Sequence, residues 1–184
     1  MNARKAMVWI GTGALMLAGF FGGSVTMKAA DNPDSEQVSN LLSQAKTMAF
    51  QLKEDAGTME TFTRVDAPWQ SHAAAIAQIK EHFNALSQQE TKLKAAKNTA
   101  SPWQKVAIDR IDPFLGEMVG YTEAVIETLN KHPERLKTPE YKDYLEANAD
   151  YSGDLAEMIA NFVDYGRTKD RLQHLTDTLE VPAR

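Results

Sequence analysis

The stretch from Ser101 to His132, SPWQKVAIDRIDPFLGEMVGYTEAVIETLNKH, constrains the fold most. It carries Ile108, Ile111, Leu115, Met118, Thr122, Val125 and Leu129 at alternating three- and four-residue steps, with His132 next in register. That spacing places the whole set on one stripe of an α-helix. A stripe of this length must be covered by others, and the flanking segments supply them. From 31 to 64 the apolar register is Val38, Leu41, Ala45, Met48, Leu52, Asp55, Met59 and Phe62; Asn32 or Asp34 is the expected N-cap. The second register is Trp69, His72, Ile76, Ile79, Phe83, Leu86, Glu90 and Leu93, fading at Lys97-Asn98. The fourth is Tyr141, Tyr144, Asn148, Tyr151, Leu155, Met158, Phe162, Tyr165 and Leu172, ending near Leu179.

Punctuation between the registers agrees with this division. Arg64-Val65-Asp66 ends the first helix and Ala67-Pro68 opens the second. Ser101, Pro102 and Gln104 form a capping box with proline at the first helical position, and Thr138-Pro139 opens the fourth helix after the Pro133–Lys137 loop. Pro113 is expected to kink or briefly interrupt the third helix, with Asp112 capping the restart, and Gly153 and Gly166 are soft points in the fourth. No segment alternates with the period of a strand. The expected fold is all-α: an antiparallel up-down-up-down four-helix bundle over residues 31–184. Pro-Trp-Gln recurs at 68–70 and 102–104, a tetratricopeptide-like interval, but each interval holds one long helix without the mid-repeat turn.

Residues 1–30 differ in kind. Arg4 and Lys5 precede an uncharged run from Ala6 to Thr26, which reads as a secretory signal or, if uncleaved, an N-terminal membrane anchor. The expected location is therefore exported, periplasmic or inner-membrane anchored, with membrane contact only through residues 6–26. Residues 31–184 keep 17 Lys and Arg against 25 Asp and Glu, a net charge of −8, which argues against nucleic-acid binding. The absence of cysteine rules out disulfides, thiolate zinc sites, iron–sulfur clusters and covalent haem, so stability rests on packing.

No motif points to catalysis, a metal or a cofactor. The positions three before His72, His82, His132 and His174 hold Trp69, Ile79, Leu129 and Arg171, so the Glu-x-x-His pattern of a di-iron bundle is missing. A haem held by Met48 and His174 fails on register, because the two levels differ by about 13 Å along the bundle. One group is less routine. The end holding the first and third loops brings together Asp55, His72, Thr122, Tyr144, Asn148 and Tyr151. They are read as a buried polar layer in which Asp55 pairs with His72, or as a small-ligand pocket between helices. Lysines 92, 94, 97 and 105, with Arg167, Lys169 and Arg171, collect at the opposite end, where they complement helix dipoles or would face lipid beside an anchor.

Three stretches carry a resemblance: METFTR at 59–64 leading to SHAA at 71–74, SPWQ at 101–104, and TPEYKDY at 138–144. They resemble exported helical-bundle proteins of acidobacterial type, a likeness that implies the fold and export but no activity. The expectation for function is a non-enzymatic interaction or structural module in the cell envelope, with an unknown protein or small-molecule partner. Trp69, Trp103 and the tyrosines are the expected surface contacts. The alternative is a small-ligand carrier with its pocket near His72.

Overall fold

The structure, a computed structural model, describes residues 33–179. The signal or anchor expected at 1–30, and Asn32 as a cap, lie outside the described residues. Four helices follow one another: α1 (Glu36–Thr61), α2 (Trp69–Ala96), α3 (Pro102–Lys131) and α4 (Pro139–Thr178). Short 3-10 turns, Lys97–Thr99 and Pro133–Arg135, sit in the second and third connections. Each helix packs against its two sequence-adjacent or ring-closing neighbours, α1 on α2 and α4, and α3 on α2 and α4. Connections this short force antiparallel neighbours, and the result is the up-down-up-down bundle. No strand occurs among the described residues, and none of their helices is long and apolar enough to cross a membrane.

All seven stripe residues of α3, from Ile108 to Leu129, are buried, whereas His132 beyond them is exposed. Pro113 does not interrupt the helix. It lies on the exposed side of a continuous α3, and Asp112 caps nothing but takes an ion pair from Lys94 Nζ at 2.6 Å. The N-cap of α1 is Ser35, whose hydroxyl accepts from the Val38 N–H at 3.4 Å. Asp34 is otherwise engaged: its Oδ1 accepts from Trp103 Nε1 at 2.7 Å and from Lys169 Nζ at 2.9 Å. Burial alone would raise the Asp34 carboxyl, but Ser101, Lys169 and Trp103 together hold it below the ordinary carboxylate value.

The end of the bundle where α1 and α3 begin is closed by one side chain. Gln104, with no solvent exposure, reaches across from α3 to α1. Its Oε1 accepts from the backbone N–H of Ser101 at 2.9 Å and of Ser35 at 3.0 Å. Its Nε2 donates to the Ser35 carbonyl at 2.9 Å and to Ser39 Oγ at 3.0 Å. Both lone pairs and both protons of the amide are used, which is its full capacity. The capping box seen in the sequence is therefore also an inter-helix bond.

Beside it, Trp103 lies over Gly166 of α4. A Cβ on Gly166 would sit 2.8 Å from the indole Cη2, so glycine is needed there for room. α4 stays helical through Gly153 and Gly166 alike.

Replacing Gln104 with alanine leaves the buried Ser101 N–H and the Ser35 N–H without acceptors. The expected cost is about 2–3 kcal/mol of stability, read from urea unfolding. A loss below about 0.5 kcal/mol, the size of an ordinary surface change, would show that the bond does not organise this end.

Candidate functional site

The six polar residues expected to share one layer do not form one. Asp55 on α1 pairs with His82 of α2, not with His72, and both partners are half-buried. Phe62, at the end of α1, lies level with His72: their rings meet edge to face at 5.1 Å. Asp55 is seven positions before Phe62, roughly 10 Å back along the helix, and so lies level with the next turns of α2.

Thr122 and Asn148 do meet. Thr122 Oγ1 donates to Asn148 Oδ1 at 3.0 Å between α3 and α4, and Asn148 Nδ2 donates to the Tyr144 carbonyl at 3.0 Å. The Tyr144 hydroxyl turns outward to Glu140 at 2.8 Å. Tyr151 leaves the group altogether, stacking on Tyr121 at 5.6 Å with Phe114 edge-on at 6.5 Å.

His72 has a different partner from the one expected. It is 3% exposed, and its Nδ1 lies 2.9 Å from the hydroxyl of Tyr141, itself 1% exposed. Burial lowers the His72 pKa from the ordinary 6.5 and raises that of Tyr141. At neutral pH both are uncharged. The Tyr141 proton has no other acceptor among the described residues, so the hydroxyl donates to Nδ1 and the ring proton sits on Nε2. Sequence reasoning passed over Tyr141 as ordinary core; its place three residues after the Thr138 cap, level with the start of α2, was the available signal.

His72 also lines a cleft. The α1–α2 connection and the α3–α4 connection stand apart at this end and leave about 600 Å³ between them, open to solvent on one side. Phe62, Trp69 and Leu136 supply apolar wall, and Arg64, Lys137 and Lys142 supply cations against Asp66 and Glu134. Trp69 is fixed rather than loose, because its Nε1 donates to the Leu129 carbonyl at 2.9 Å.

At the opposite end the basic residues are mostly spent on local pairs. Lys94 bridges Glu90 at 2.9 Å and Asp112, Lys97 pairs with Asp109 at 2.5 Å, and Lys169 with Asp34. No three His, Asp or Glu side chains gather as a metal site among the described residues. No family model matches the chain, and no curated protein or solved structure is significantly similar to it.

A histidine held neutral by burial makes the fold acid-sensitive. Its folded pKa lies below that of the unfolded chain, so below about 6.5 the unfolded chain binds more protons. The contribution is complete above that pH and shrinks as pH falls through and below it. Between pH 7.5 and 5.5 the native protein should lose more stability than a His72→Gln variant, measured by urea midpoints in matched buffers. Equal losses would remove His72 as the cause.

Proposed function

We propose that this is an exported cell-envelope protein whose bundle works by contact, as an interaction or structural module, and not by chemical conversion. The observation that carries this reading is the far end of α4. The last buried residue of that helix is Gly166, yet the helix continues to Thr178. Lys169 already lies level with the start of α1 through its bond to Asp34, so α4 projects past that level by roughly 14 Å. On the projection, Leu172, Leu175 and Leu179 are 65%, 46% and 67% exposed. Steps of three and four put them on one stripe, the spacing by which one helix docks another. A solvent-facing stripe of leucines lowers the stability of nothing if a partner covers it, and favours association.

The expected contact residues differ from this stripe. Trp103 is half-buried, bonded to Asp34 and lying over Gly166, and Trp69 is exposed but pinned to α3. The partner surface is therefore assigned to the α4 leucines, with a helix of another envelope protein as its occupant. Export rests on Arg4, Lys5 and the uncharged run to Thr26.

Two measurements test the two halves. Protein recovered from the envelope fraction should be found there and absent from the cytosol, with its intact mass telling whether residues 1–30 remain; recovery from the cytosol alone refutes export. A photo-crosslinker at Leu175 should give one discrete adduct in intact envelopes, lost on Leu172→Glu with Leu179→Glu, while the same probe at exposed Glu146 gives none. Identical patterns at 175 and 146 would refute the contact surface.

A further inference from the structure

We propose that the cleft beside His72 is a binding site for a small organic monoanion with an apolar body, an aryl- or alkyl-carboxylate. The inference is independent of the α4 stripe and stands on four features that converge on one space.

The first is His72. It is more than nine-tenths buried, its Nδ1 is taken by Tyr141, and the side chain lines the cleft. Nε2 is its one remaining polar atom. It has no hydrogen-bond partner among the described residues, and it is not sealed in the interior among the orphaned polar atoms there. With Tyr141 donating to Nδ1 it carries the proton, and the ring it belongs to lines the cleft. The fold thus leaves one imidazole N–H without a protein partner among the described residues, on a ring that lines the cleft. Water can reach this donor from the open cleft, and a ligand oxygen that displaces the water keeps the hydrogen bond.

The second is the start of α2. Pro68 is its N-cap residue and offers no side-chain acceptor, and the first turn has no acid. Trp69, whose N–H is the first of the helix, and the positive end of the helix dipole border the same cleft. The third is Lys142. Arg64 is engaged by Glu60 at 2.6 Å and Lys137 by Asp66 at 2.7 Å, and Glu134 is turned toward His132 at 3.5 Å. Lys142 lines the cleft with no carboxylate partner among the described residues, so one cation is left for a guest. The fourth is the apolar wall. Phe62, Trp69 and Leu136 line one space with the polar groups, and the hydrogen bond from Trp69 to Leu129 sets its indole in place beforehand. Donors at one side and a preorganised apolar wall at the other match a carboxylate with a hydrocarbon body.

Calorimetry and NMR on the full chain with sodium phenylacetate test this. Phenylacetate should bind at one site with a Kd of about 1 mM or below, and the His72 Nε2 resonance should shift on titration. Lys142→Gln, a surface change that leaves the core intact, should weaken binding by about fivefold or more, the scale of a charge-assisted hydrogen bond. Trp69→Ala should weaken it comparably. Acetate, which lacks the body, should bind far more weakly, and 2-phenylethylamine, which inverts the charge, not at all. Several results would overturn the proposal: no heat and no His72 shift at tens of millimolar phenylacetate, equal binding of the amine, or an unchanged Kd in Lys142→Gln.

Discussion

The amide of Gln104 is the constraint on which the assembly of this bundle depends. Neighbouring helices hold each other through apolar seams, and seams built from leucine, isoleucine and alanine tolerate sliding by a turn or a heptad. Nothing in α1 and α3 makes them close neighbours, since they stand diagonally across the core. Gln104 joins that diagonal, and every one of its four hydrogen-bonding positions is met by an atom of the first turns of α1 or α3. A shift of either helix by one turn would leave those backbone groups buried and unmet. Packing supplies the stability and the amide selects the register.

The same division of labour recurs along the core. Gln89 on α2, with no exposure, donates to the Leu41 carbonyl at 2.9 Å and to Gln44 Oε1 at 3.0 Å, tying α2 to α1. Thr122 and Asn148 tie α3 to α4, and His72 and Tyr141 tie α2 to α4 across the other diagonal. Each buried polar pair serves one pair of helices at its own level. Distributed in this way, the pairs specify the arrangement at several points, where a single layer would do so at one. Both diagonals are thereby bridged, one at each end.

How much of this was legible follows from helix geometry. In α3 the three-four spacing named seven buried residues, from Ile108 to Leu129, and failed only at His132, where the helix has ended. In α4 the spacing drifted. A strict seven-residue repeat follows 3.5 residues per turn, whereas a straight helix makes 3.6, so over 40 residues the two part by a third of a turn or more. The register therefore named Tyr151, Met158 and Phe162, which are half-buried, and Leu172, which is exposed. The residues that reach the core there are Ser152, Ala156, Ile159, Val163 and Gly166, several of them too small or polar to stand out as hydrophobic. The site suffered from a related error. Counting outward from the first loop sets His72 level with Phe62, and Asp55 two turns further in, so the acid and the histidine could never have met. Position along the helix axis was readable from the chain; composition of the end was not enough.

The two ends of the bundle are built on opposite terms, and this bears on what each can do. At the end with Gln104, the amide has all four of its hydrogen bonds, Trp103 fills the space over Gly166, and Lys169 is bound to Asp34. What that end presents is the outer surface of α4, an apolar stripe left exposed among the described residues. The other end has the reverse character. Its connections stand apart, its buried histidine has Nε2 without a protein partner among the described residues, and Lys142 lines the cleft without a carboxylate partner among them. A surface of the first kind recognises shape and apolar area; a cleft of the second kind recognises charge and size. The proposed partner surface and the proposed anion cleft thus lie at opposite ends of the bundle, about 40 Å of helix apart. One helix, α4, carries Tyr141 near one end and the leucines at the other, and so touches both.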